Sequence, residues 1–182
     1  SFISAINQSI VHINDEQELL DTACNIAVNI GQFKAVWIGL VDEKRKLNII
    51  SLQGDDEIVK ELKKYSGVDY ANPEYIEHIV GKVLSSGKYQ VKNGLSDDED
   101  MAGLKETFAR FGIKSTILFP VKKSGKTIGV FGFLSAIETF FDDQEITLLD
   151  EAASDISFAL ENFEKAKKHK ATEELVVQNE KR

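Results

Sequence analysis

The stretch Lys114–Ala136, KSTILFPVKKSGKTIGVFGFLSA, constrains the fold more than any other part of the chain. Two apolar runs flank a short polar turn, Lys122-Lys123-Ser124-Gly125. This pattern predicts a β-hairpin in the middle of a sheet. Side chains alternate faces along a strand. One face then carries Ile117, Phe119, Phe131 and Phe133 and reads as packed core. The other carries Thr116, Leu118, Val130, Gly132 and Leu134, where a hydroxyl and a missing side chain are expected to leave room for a small ligand.

A second strand pair is predicted at Phe33–Asp42 and Leu47–Leu52, around the charged turn Glu43-Lys44-Arg45. Trp37 and Gly39 share one face of its first strand, and Val36, Ile38 and Leu40 share the other. Trp37 reads either as a platform for a flat ligand or as core with its N–H satisfied.

Helical signals surround these strands. Ile3, Ile6, Ile10 and Ile13 form a narrow stripe that suits a coiled-coil seam or packing on the chain's own sheet. Asn14, with Gln17 as box partner, is expected to cap a helix that ends at Gly31 and places Leu20, Cys24 and Ala27 on its apolar face. Cys24 reads as a buried small hydrophobe, since no basic residue or His nearby in sequence would activate it as a nucleophile. Asp56–Tyr65 is predicted as a short helix with Val59 and Leu62 inward. Pro73 is expected to open another, with Ile76, Ile79, Val80, Val83 and Leu84 as its stripe and Gly87 as its stop. A short strand follows over Lys88–Asn93, then an acidic loop, Gly94–Asp100. Its four acids lack the spacing of a calcium loop and read as a solvated turn more readily than as a metal site. Met101, Leu104, Phe108 and Phe111 form a stripe ending at Gly112.

Phe141-Asp142-Asp143-Gln144-Glu145-Ile146 carries a cap, a box partner and a hydrophobic staple for a final helix. Leu149, Ala153, Ile156, Leu160 and Phe163 continue its stripe, and Lys167 and Lys170 interrupt it. Running towards the chain end, such a helix would be about 60 Å long and would project beyond a domain of this size.

The chain has 182 residues and is 42% apolar, enough for one domain with a proper core. Its net charge of −8 argues against a nucleic-acid or anionic-membrane surface. No run approaches the roughly 20 apolar residues of a membrane span, and no signal peptide is visible. One cysteine allows no internal disulfide, which suits a reducing, cytoplasmic compartment. Starting at Ser1 with helical ends, the sequence is expected to be a piece of a longer protein.

In order, the elements read helix, helix, strand pair, helical segment, strand, helix, hairpin, long helix. The phrases NQSIVHINDEQELLDTACNIAVNIGQFKAVWIGLVD, GKVLSSGKYQVKNGLSDDEDM, FGIKSTILFPVKKSGKTIGVFGFLSA and FFDDQEITLLDEAASDISFALEN carry a resemblance that spans nearly the whole chain. It resembles a GAF domain of the kind found in sensor histidine kinases and diguanylate cyclases. The resemblance implies an α+β, PAS-related fold: a central antiparallel sheet of order 2-1-5-4-3, helices on both faces and a long C-terminal helix. It implies a sensory domain over residues 1–163, the first helix (1–13) joining a dimer bundle, and a projecting signalling helix or linker over 164–182.

On that resemblance the pocket residues are Trp37, Gly39, Ser51, Asp97, Met101, Phe108, Thr116, Leu118, Gly132 and Leu134. Ile3, Ile6, Ile10, Leu149, Ile156, Leu160 and Phe163 would form the dimer and signalling helices. The motifs that bind cyclic nucleotides, attach a bilin or reduce methionine sulfoxide in this fold have no counterpart among these residues. His12, His78 and His169 lie on helical segments and are not placed as haem ligands, and His169 lacks the surroundings of a phosphoacceptor. The expectation is therefore a non-enzymatic, cofactor-free sensor of a two-component or related system. It would bind a small molecule, form a homodimer, and act on an output domain of the same protein without touching nucleic acid or membrane. The alternative is a structural dimerisation domain whose pocket is filled by its own Tyr65, Met101, Phe108 and Phe111.

Overall fold

The computed structural model describes residues 5, 8, 15–75, 77–95 and 104–181. The helix expected over residues 1–13, the cap at Asn14, Ile76 and the acidic run with Asp97 and Met101 lie outside the described residues.

The elements are α1 (Glu16–Gly31), β1 (Ala35–Val41), β2 (Leu47–Gly54), α2 (Asp56–Leu62), a 3-10 turn (Lys63–Tyr65), α3 (Ile79–Ser86), β3 (Gln90–Lys92), α4 (Lys105–Arg110), β4 (Ser115–Lys123), β5 (Lys126–Ser135) and α5 (Asp143–Glu180). The five strands form one antiparallel sheet of order β2-β1-β5-β4-β3, the order that the resemblance implies. Ser124 and Gly125 connect β4 to β5 with φ of 51° and 77°, the two left-handed residues that a tight hairpin turn requires.

One sheet face presents Val36, Ile38, Ile117, Phe119, Phe131 and Phe133 to α1 and α5. Leu19, Leu20, Cys24 and Ala27 of α1 and Leu149, Ala153, Ile156 and Leu160 of α5 close this core. Leu149, Ile156 and Leu160 are each removed from water at a gain of up to about 3 kcal/mol, which fixes the helix to the sheet. The other face packs against α2, α3 and α4 through Ile58, Leu62, Ile79, Val80, Val83 and Phe108.

Several local expectations shift. Asp15 caps α1, its side chain accepting from the Gln17 N–H at 3.0 Å. Ile58 is the buried partner of Leu62 in α2, and Val59 is half-buried. The helix predicted from Pro73 begins only at Ile79, because His78 supplies the cap: its Nδ1 accepts from the Val80 N–H at 3.2 Å. Gly87 ends α3 in the left-handed region, as the sequence indicates. Asp142 caps α5 by accepting from the Glu145 N–H at 2.8 Å.

Three polar contacts pin the β4–β5 turn to α5. Lys122 donates its backbone N–H to Ser157 Oγ at 3.0 Å. Ser124 donates its own to Glu161 Oε1. Lys123 Nζ meets Glu164 at 3.1 Å, and this hydrogen bond holds the Glu164 carboxyl below the usual carboxylate range. Past that point residues 165–180 of α5, and Lys181 after it, are all exposed.

Candidate functional site

A cavity of about 50 Å³ lies between the sheet and the roof formed by α2, α3 and α4. Its floor comprises Trp37, Leu47, Ile49, Thr116, Leu118 and Leu134. Its roof comprises Leu62, Tyr65, Tyr70, His78, Ile79, Val80, Leu104 and Phe108. Strand alternation places the floor: Thr116, Leu118 and Leu134 stand opposite the face that Ile117 and Phe133 give to α5.

Of the residues expected to bind a ligand, Trp37, Phe108, Thr116, Leu118 and Leu134 line this cavity. Asp97 and Met101 lie outside the described residues. Gly39, Gly132 and Ser51 are placed differently from expectation.

The space above Gly132 is not open. Gly132 pairs with Trp37 on one side and Leu118 on the other, and both lean across it; a Cβ there would overlap the Trp37 indole and come within 2.8 Å of Leu118 Cδ2. Gly39 is covered in the same way, with Leu47 Cγ 3.0 Å and Trp37 Cζ3 3.1 Å from the position of a Cβ. The two missing side chains accommodate a tryptophan and a leucine rather than a ligand.

Ser51 faces the opposite way. Ile38 pairs with Ser51 while Gly39 pairs with Ile49, so Ile50 is an extra residue, a β-bulge. The bulge turns Ser51 towards α1, where its hydroxyl donates to Asp21 Oδ1 at 2.6 Å. Gln17 Nε2 bridges the same carboxylate at 3.2 Å and the Ile50 carbonyl at 2.9 Å, locking α1 to the bulge.

Two polar groups of the pocket wall, on Thr116 and His78, bond to the protein's own backbone. Thr116 Oγ1 donates to the Phe133 carbonyl at 2.9 Å. His78 is 6% exposed, and its ring lies 5.4 Å from that of Tyr70. Burial, with Tyr75 and Tyr65 adding to it, pushes the Tyr70 hydroxyl up to about 12. Of the three histidines His78 alone was expected near the roof, as a surface or satisfied side chain, and Tyr70 did not emerge from the sequence as a pocket residue. The signal was thin: a His directly before an apolar helical stripe can serve as its cap, but nothing in the spacing marks it as buried.

Cys24, the chain's one cysteine, lies in α1 under the other face of the sheet. Burial pushes its thiol up to about 12, so it is a poor nucleophile. Among the described residues no group of His, Cys, Asp or Glu side chains is arranged to hold a metal ion. No helix among them is long and apolar enough to cross a membrane.

The residues expected to form a dimer seam on the last helix pack within the chain itself. Leu149, Ile156 and Leu160 are buried against the chain's own sheet, and Phe163 is half-buried at its edge. The apolar side chains that α5 exposes are Leu148, Phe158, Leu175, Val176 and Val177. Ile3, Ile6 and Ile10 lie outside the described residues.

Comparison with known proteins agrees with this architecture. A family model described as GAF domain matches residues 14–161. The free methionine-R-sulfoxide reductase from Neisseria meningitidis, solved with its substrate, is similar over 90% of this chain and 89% of its own, with 18% identity and a TM-score of 0.72. The GAF domain of a phosphoenolpyruvate-protein phosphotransferase from Coxiella burnetii is similar over 92% of this chain and 95% of its own, with 10% identity and a TM-score of 0.74. A domain of a protein named as a two-component sensor histidine kinase, from Sinorhizobium meliloti, is similar over 87% of this chain and 99% of its own, with 18% identity and a TM-score of 0.66. At these identities the likeness is one of fold. A search of curated proteins found no match.

Proposed function

The chain belongs to the GAF domain family, and from that premise we propose that it is a non-catalytic regulatory module in which the state of the pocket is passed through the sheet to α5. One observation carries this reading: the pocket and α5 rest on opposite faces of the same two strands. Leu118 and Leu134 line the cavity, while their neighbours Ile117, Phe119 and Phe133 pack under α1 and α5. Interiors are close-packed, so a shift on one face of β4 and β5 is felt on the other. The pinned turn at Lys122–Ser124 gives the strands a second hold on α5.

The exposed end of α5 is the proposed output. An isolated helix of the length of residues 165–181 is marginal in water, and it carries Leu175, Val176 and Val177 in the open. A second copy, or the next domain of a longer cytoplasmic signalling protein, would cover them. An enzymatic role is disfavoured because Cys24 lies on the far side of the sheet with its thiol pushed up to about 12.

Native mass spectrometry of the purified domain, before and after denaturation, tests the reading. A small molecule released on unfolding supports a sensor. An empty dimer favours the second reading, a dimerisation domain with a self-filled pocket, which draws its own support from the small cavity and from Trp37 covering Gly132.

A further inference from the structure

The lining of the pocket limits what can enter it, and we infer that it takes neutral, apolar molecules of a few heavy atoms and turns away anions. The inference rests on the regulatory reading only in treating this cavity as the site.

Charge is the first argument. Among the described residues no Lys, Arg, Asp or Glu lines the cavity. The sequence of residues 1–14, 76 and 96–103 contains no Lys or Arg, and its one histidine is His12. An ionised carboxylate or phosphate buried here would find no Lys or Arg and only the His78 ring, which already caps α3, so its burial would cost several kcal/mol. The start of α3, which contributes Ile79 and Val80 to the wall, offers little to an anion, because His78 Nδ1 already holds the Val80 N–H. The stretch at residues 96–103 holds four acids, and the chain's net charge is −8, so the wider field also repels anions.

Polarity and size narrow the class further. Thr116 spends its hydroxyl on the Phe133 carbonyl. Trp37, Tyr65, Tyr70 and His78 bring the other polar atoms of the lining, and the rest of it is aliphatic or phenyl carbon; an apolar cavity of about 150 Å³ accepts benzene or xenon. At about 50 Å³ the pocket holds something nearer a single xenon atom or the smallest hydrocarbons.

The test is methyl NMR of the whole chain titrated with two probes of small and comparable size, xenon under pressure and sodium formate. Xenon should shift the methyls of Ile79, Val80, Leu118 and Leu134 saturably and leave the exposed Leu175 and Val176 unmoved. Formate should not shift the pocket methyls. In Val80→Leu, where an added methylene takes up part of the space, the xenon shifts should weaken or vanish. Formate moving the pocket methyls, xenon shifts that survive Val80→Leu unchanged, or no response to either probe would overturn the inference. Failure of the regulatory reading looks different. Xenon would then occupy the pocket while the Ile156 and Leu160 methyls under α5 stayed still. Formate that bound and moved those two methyls would keep the regulatory reading and sink the ligand class.

Discussion

The indole of Trp37 lies across Gly132, filling the space that a side chain at that position would need. The two residues are register partners on β1 and β5, so glycine on one strand makes room for tryptophan on the other. Replacing Gly132 with alanine should displace the indole and destabilise the domain by about 1–3 kcal/mol; phenylalanine should cost more and would not simply plug the pocket. Urea unfolding followed by fluorescence reads this directly, because Trp37 is the chain's one tryptophan. Unchanged stability in Gly132→Ala would mean that the indole is free to move away.

Ser51 provides a test of the bulge. Its hydroxyl serves Asp21 on the α1 side. Ser51→Ala should cost about 1.5–3 kcal/mol, the range for a hydrogen bond to a charged group, and should leave xenon occupancy of the pocket untouched. Loss of pocket occupancy at full stability would place Ser51 on the other face.

His78 combines two roles, a helix cap and a piece of pocket wall. His78→Ala should lower stability by about 0.5–2 kcal/mol, the usual cost of a lost N-cap, and His78→Asn should recover much of it. Thermal unfolding of both variants checks the ordering; an Asn variant no better than Ala would argue against the cap.

Cys24 gives a pH dependence with a definite sign. Its thiol is raised in the folded protein from 9.0 to about 12, chiefly by burial. The native state therefore holds its proton over a range where the unfolded state releases it. The stability tied to this group is complete below pH 9 and is lost as pH climbs towards 12, at up to about 1.4 kcal/mol per pH unit. Cys24→Ala should flatten that part of the alkaline stability profile. Tyr70, raised to about 12 by burial, adds loss of the same sign above pH 10 and remains in the variant. A wild-type profile that does not fall between pH 9 and 11 would contradict the burial of the thiol.

Much of this architecture was legible in the sequence because periodicity reports which side of an element is apolar. The hairpin, its two faces, the α5 start at Asp142 and the burial of Cys24 all follow from local pattern. What escaped depends on pairing between distant residues. A bulge at Ile50 inverts Ser51 without leaving a mark on the alternation of β2. A glycine announces a missing side chain but not which neighbour fills the gap, and here Trp37 does. Pro73 is a good first helical residue, yet the chain turns until His78 because a cap with Nδ1 in reach sets the start of α3. The α5 stripe from Leu149 to Phe163 looks like a partner seam until Lys167 and Lys170 interrupt it. Only the folded sheet tells which part is already covered.

The account turns on whether the pocket and α5 are coupled through β4 and β5. The most direct measurement is a comparison of methyl chemical shifts between the wild-type chain and Val80→Leu, in which the pocket is partly filled from the roof. The ring currents of Phe119, Phe131 and Phe133 make nearby methyls sensitive to small movements of the sheet, and Leu149, Ile156 and Leu160 lie in the same core. The account predicts shifts at these three α5 residues as well as at Ile79, Leu118 and Leu134. Shifts confined to the pocket side of the sheet would contradict it.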